Sequence, residues 1–345
     1  MQVYAGIDLH STNNYTGVID GKDRRLYGKR LPNHIATILL SLEPYKERLQ
    51  GIVVESTYNW YWLVDGLQEA GYTVHLANPS AIKQYEGLKH TDDKWESFWL
   101  AHLLRLKILP EGYIYPKEDR AVRDLLRRRL LFVRHRTAHI LSLQSMIHRN
   151  LGMRMSGREI KRLEEKELES LFDSYHLVGM AKHNIATIGF LKKRIQIIEK
   201  QVKSQVKLRE EFKYLRTIPG IGDILSFTIM LEVGDIHRFA EVGNYSSYCR
   251  CVKSERYSNN KKKGKGNKKN GNKYLAWAYV EAANFARRFC PNSQRFHQRK
   301  MAKTNSIVAI KALSNKLARA SYYIMRDRVP YDARKLFGPS ARVQQ

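Results

Sequence analysis

Short apolar runs separated by polar turns fill the first hundred residues, and apolar positions at helical spacing dominate the rest of the chain. Val3, Tyr4, Ile7, Tyr15, Gly17, Val18 and Ile19 read as two strands joined by a polar turn, rich in β-branched and aromatic types. The same pattern predicts strands over 3–8, 15–19, 24–30, 51–55 and 73–77, with helices near 33–47, 58–71 and 92–107. Three early strands at hairpin spacing, then helix, strand, helix, strand and helix, imply a mixed sheet covered by helices.

From about 117 to 210 the spacing turns helical. Val122, Leu125, Leu126, Val133, Ile140, Leu143, Ile147 and Leu151 keep it, and Ile188, Leu191, Ile195, Ile198 and Val202 resume it. No proline lies between Pro116 and Pro219, which fits long helices and a coiled coil able to join two subunits. A third, mostly helical region runs from Tyr214 to about Arg334. The division expected is 1–110, 111–212 and 213–345.

Composition changes the picture. Lys and Arg total 61 against 33 Asp and Glu, a formal net charge of +28 over 345 residues, so the expected partner is a polyanion, with nucleic acid first. No apolar run approaches the ~18–20 residues of a membrane span, and the N-terminus carries no secretory signal pattern; a cytoplasmic protein is expected. Cys249, Cys251 and Cys290 are too few and too clustered for a disulfide framework, and their spacing suits zinc poorly.

Against this positive field, isolated acids stand out. Asp8 in "YAGIDLH" and Glu55 in "GIVVEST" each end an apolar strand. "KHTDDKWESFWLAHLL" adds Asp92, Asp93 and Glu96 at a helix start, with Asp93 and Glu96 on one face. Hard oxygen ligands of this kind hold Mg2+, and the element order around them is that of RNase H-like folds. Asp92 and Asp93 also suit a helix N-terminus with no metal at all.

Two motifs in the third region bear on nucleic acid. "TIPGIG" matches the turn of a helix-hairpin-helix, where Gly220 and Gly222 would let backbone N–H groups approach a phosphate; it also reads as a plain helix-connecting turn. "KSERYSNNKKKGKGNKKNGNK" holds nine basic residues and one acid. It reads either as a solvated loop or as a phosphate-gripping one using Arg256, Lys261, Lys262, Lys263, Lys265, Lys268, Lys269 and Lys273. Tyr245, Tyr248, Tyr257, Tyr274 and Trp277 flank it as candidate stacking partners for bases.

"GIDLH", "VVEST", "KHTDDKWESFWLA", "TIPGIG" and "RYSNN", in this order, resemble the IS-one-ten family of insertion-sequence transposases across nearly the whole chain. The resemblance implies an N-terminal RuvC-like domain and a C-terminal domain carrying a serine. The family's Asp-Glu-Asp-Asp tetrad maps onto Asp8, Glu55, Asp93 and Glu96, with a glutamate at the fourth place and Asp92 as its competitor. The nucleophile maps onto Ser258, followed by Asn259 where the family often has glycine. It further implies DNA recombination with Mg2+, multimeric assembly, and a structured non-coding RNA that pairs with target and donor DNA. A water-using junction nuclease would need the acids alone, and an RNA-binding protein only the charge.

Overall fold

The computed structural model describes residues 1–82, 92–206, 210–253, 255–265 and 270–338, with the backbone alone at 256, 257, 262 and 265. The chain forms two compact units, Met1–Lys117 and Glu118–Gln345.

The first unit is built on β1 (Val3–Leu9), β2 (Asn13–Asp20) and β3 (Arg25–Pro32), then α1 (Ile35–Leu42), β4 (Leu49–Glu55), α2 (Tyr61–Glu69), β5 (Val74–Ala77), α3 (Asp93–Arg105) and the short β6 (Glu111–Gly112). The sheet order is β3-β2-β1-β4-β5-β6. β1 runs antiparallel to β2 and parallel to β4, and β4 runs parallel to β5. This mixed sheet is RNase H-like, as the order of runs along the sequence predicts.

Alternation along the strands decides which residues face which layer. Val3, Ala5, Ile7, Leu9, Ile52 and Val54 pack with Ile38 and Leu42 of α1 and Leu63, Val64 and Leu67 of α2. Val53 joins Leu100 and Leu103 of α3 on the other face. With both faces covered, β1 and β4 read as near-continuous apolar runs. Gly6 makes the α3 layer fit: a Cβ there would lie 2.0 Å from the Ser97 carbonyl oxygen, so only glycine admits the helix this closely.

The second unit contains α4 (Lys117–Leu151, its first residue shared with the boundary), α5 (Gly157–Ile160), α6 (Glu165–Leu171) and α7 (Tyr175–Val206). α8 (Glu210–Leu215), α9 (Asp223–Val233) and α10 (Val242–Tyr248) precede a hairpin of β7 (Glu255–Ser258) and β8 (Lys261–Lys265). α11 (Lys273–Phe289), α12 (Pro291–Lys303), α13 (Ser306–Asp327) and α14 (Ala333–Phe337) complete it. α4 and α7 pack antiparallel: Arg129 binds Glu199, His139 meets Asn184 at 3.0 Å, and Ile140, Leu143 and Ile147 share a core with Ala181 and Ile188. Leu141, Phe190 and Ile197 of this pair stay exposed. A second core gathers α8 to α11 and α13 around the buried α9.

Candidate active site

Asp8 and Glu55 end adjacent parallel strands, and both point to the α3 face of the sheet because Gly6 and Val53, two residues before each, do so. α3 delivers Glu96 to the same place. Asp8, Glu55 and Glu96 bring carboxylate oxygens within 4.8 Å of one another; Asp8, His10 and Asp93 form a second such group sharing Asp8. Asp93 thus joins the cluster through Asp8 and not beside Glu55 and Glu96. Its oxygens meet His10 Nε2 at 3.1 Å and Arg30 Nη2 at 2.5 Å.

Asp92 has a different task. Its carboxylate caps α3, accepting from the Trp95 backbone N–H at 2.6 Å.

The electrostatics are those of a site short of positive charge. Asp8 is 1% exposed, and neither carboxylate oxygen meets hydrogen-bond geometry among the described residues, although His10 Nε2 lies 3.1 Å from one. Burial pushes the Asp8 carboxyl up, against the pull of Glu55 and His10. Burial, then the neighbouring Asp8 and Glu96, push Glu55 up to about 8. For Asp93, burial is outweighed by Arg30 and His10, which hold it below the usual carboxylate range. Clustered hard oxygens with orphaned buried lone pairs suit a divalent cation.

In the second unit Ser258 is exposed at the end of β7, paired with Lys261 across a two-residue turn. Asn259 and Asn260 take φ of 50° and 56°, the left-handed pair of a type I′ hairpin. Lys261 and Lys263 are exposed on β8, and Lys273 opens α11 with its ammonium 5.3 Å from the Tyr274 ring. The backbones of Arg256, Lys262 and Lys265 lie in the same hairpin; Lys268 and Lys269 fall outside the described residues.

The roots of this hairpin are clamped. Arg250 donates to the carbonyls of Asn270 and Gly271 at 3.0 Å each, and the Asn272 N–H donates to the Tyr248 carbonyl. Asn272 caps α11 and donates its side-chain amide to Glu232 at 2.7 Å. Arg127 of α4 grips Glu232 with two bonds of 2.6 and 2.8 Å.

In "TIPGIG" the two glycines differ. Gly220, at φ +88°, lies against α11, where a Cβ would come 2.3 Å from the Ala282 carbonyl oxygen; its side of the turn serves helix packing. Gly222 is open and starts α9, beside a depression of about 530 Å3 that Arg216, Phe285 and Phe289 also line.

Comparison with known proteins falls on these two regions. A model of the IS110 DEDD transposase domain matches residues 5–149, and a model described as the transposase IS116/IS110/IS902 family matches residues 212–298. The chain belongs to the IS110 family of insertion-sequence transposases. The transposase is 24% identical over 286 residues to a "probable family 20 transposase" of Pseudomonas aeruginosa, covering 79% of this chain and 82% of that protein. It is 28% identical over 234 residues to the "transposase for insertion sequence element IS1111A" of Coxiella burnetii, covering 65% of this chain and 62% of that protein. The family gives the transposase DNA as substrate and divalent-metal use at its acidic domain. Among the described residues no helix is long and apolar enough to cross a membrane.

Sequence reading missed His10, Arg30, Arg127, Glu232 and Asn272. His10 had a signal, standing two residues after Asp8 on the same strand end. So had Glu232, the lone charge within "LSFTIMLEV".

Proposed function

We propose that the transposase cuts and rejoins DNA through Ser258, with Asp8, Glu55, Asp93 and Glu96 holding Mg2+. The observation that carries this reading is the convergence of Asp8, Glu55 and Glu96 within 4.8 Å, with the Asp8 oxygens buried and, among the described residues, met only by the His10 ring at 3.1 Å outside hydrogen-bond geometry. When bound there, the ion neutralises charge on the phosphodiester and lowers the barrier to its displacement. Glu55, protonated more readily than an ordinary carboxyl in the metal-free site, would hold the ion as a carboxylate, and His10 and Arg30 keep Asp93 ionised and oriented.

Ser258 Oγ forms an ester bond to phosphorus while the bond from phosphorus to a deoxyribose oxygen breaks. The hydroxyl proton leaves to solvent and the departing oxygen takes one up. A second attack by a DNA hydroxyl on the phosphoserine rejoins strands and frees the serine. The type I′ turn presents the hydroxyl at an exposed tip, and Lys261 and Lys263 supply nearby positive charge for the DNA backbone.

Sequence choice belongs, on this reading, to a structured non-coding RNA that pairs with donor and target, while a chain of net charge +28 holds backbones. The exposed apolar residues of α4 and α7 support assembly into a multimer.

The test is Ser258→Ala. With labelled donor and target DNA, the co-purified RNA and Mg2+, the wild-type protein should retain label after denaturation and the variant should not, with DNA binding intact. Donor–target joining by the variant would sink the serine mechanism in favour of attack by water at the acidic site.

A further inference from the structure

Outside the acidic cluster, the first unit holds a cavity of about 150 Å3 lined by Ile19, Asp23, Arg25, Trp95, Phe98, Trp99 and His102. Trp95, Trp99 and His102 stand at i, i+4 and i+7 on α3 and so share one side of the helix. Their rings are stacked: Trp95 on Trp99 with centroids 5.3 Å apart and planes 13° apart, Trp99 on His102 at 5.0 Å and 22°. The lower end of this column is locked, since His102 Nδ1 meets Asp23 at 2.6 Å and Arg105 Nη2 at 3.3 Å. Arg25, exposed on β3, holds its guanidinium 4.4 Å from the Phe98 ring centroid.

The sheet contacts of α3 come from Phe98, Leu100, Ala101 and Leu103, with Trp99 half-buried against the Leu100 and Leu103 cluster, so Trp95 and His102 stand outside the core of this unit. One polar atom is left over: the Trp99 indole N–H is buried and has no acceptor among the described residues. Indole N–H groups in buried positions usually find a partner.

We infer that this aromatic cavity takes a single unpaired nucleobase of the DNA or RNA strand that passes the acidic site. Its volume falls below the roughly 300–1,000 Å3 of pockets for whole small ligands, which suits one planar ring with its sugar and phosphate outside. Trp99 already has a ring on each side, so the base would stack on the end of the column at Trp95, which Trp99 holds in plane, and Arg25 adds both a cationic plane and donors for base carbonyls or a flanking phosphate. Asp23 is an acceptor suited to exocyclic amines. Placement on α3 matters as well: Glu96 lies at the start of the helix and His102 meets Asp23 in the β2–β3 turn, so a strand laid along α3 would meet the acids and the column in succession. The inference rests only on a nucleic-acid substrate and stands whether serine or water is the nucleophile.

The full-length protein in EDTA, without cleavage, provides the test. Affinity is measured for a single-stranded oligodeoxynucleotide and for a fully abasic strand of equal length, which keeps every phosphate. Wild-type protein should prefer the strand with bases, and Trp99→Leu should lower that preference about 5- to 100-fold while leaving the abasic affinity unchanged. Arg25→Ala, at an exposed position that leaves the core intact, should lower it in the same sense. Equal losses on both strands, or none, would overturn the inference. So would an unchanged preference accompanied by a smaller oligomer for Trp99→Leu, which would make the cavity a contact between subunits.

Discussion

Asp8 and Glu232 are carboxylates buried to nearly the same degree, 1% and 2% exposed, and the two units treat them in opposite ways. Glu232 has a bidentate arginine and an asparagine amide. Asp8 has two further carboxylates for company and a histidine at the edge of reach. A buried charge that the protein satisfies is a fastener between elements. One left beside like charges is sustained by the surrounding fold against its own electrostatic cost, and on the function proposed above that cost is relieved by a cation that comes from outside.

The largest effect should separate the two acids by kind. Asp8→Asn should remove metal-dependent strand cleavage, a loss of several kcal/mol in transition-state stabilisation or roughly a thousandfold in rate. Thermal unfolding of the metal-free protein should be unchanged or raised, because a like-charge contact is relieved. Retained cleavage at saturating Mg2+ would remove Asp8 from the metal site.

Glu232→Ala should do the reverse. Breaking a buried pair by deleting one partner typically costs about 3–5 kcal/mol, and here it strands Arg127 and loosens the Asn272 root of the serine hairpin. Chemical denaturation should show that loss in the second unit, with Mg2+ affinity untouched. If Glu232→Ala is neutral in stability, the clamp has no fastening role and the contrast between the acids fails.

The smallest effect is a pH slope. Glu55 is raised to about 8 from an ordinary 4.5, so the folded metal-free protein binds a proton there that the unfolded chain has released. Its stability contribution is therefore present below pH ~4.5 and fades as pH rises through about 8. Mg2+ affinity should strengthen over the same interval as that proton departs. Glu55→Gln should flatten the stability slope, measured by unfolding in EDTA across pH; an unaltered slope would mean the carboxyl is solvated in the folded state.

Much of this contrast was legible in the sequence because it is written in local pattern. Strands over 3–8 and 51–55 with an acid at each end required only that an apolar run stop at a carboxylate, and the α3 acids required only helical spacing. The paired left-handed residues after Ser258 follow from Asn259 and Asn260, residue types that tolerate that backbone. The partners of Glu232 were not legible, since Arg127 and Asn272 are separated from it by 105 and 40 positions and only the fold brings them together. Likewise Gly220 sits in a motif that suggests phosphate binding, yet its packing against Ala282 depends on α11, about sixty residues on. The cap that Asp92 makes to Trp95, and the placing of Glu96 beside Asp8 and Glu55, came into view only with the fold.

The 35 residues of α4, at 1.5 Å of rise each, make a rod of about 52 Å. Measured along a duplex at 3.4 Å per base pair, that is roughly fifteen base pairs. Because α7 runs back along α4, the two helices brace one another and act as a stiff spacer whose reach is set by residue count. Seven residues removed from both helices, in matching places, would shorten it by about 10 Å while leaving either end's packing unchanged. The helical pair is in this sense a ruler, and its length is a property that insertion or deletion can adjust without redesigning any site.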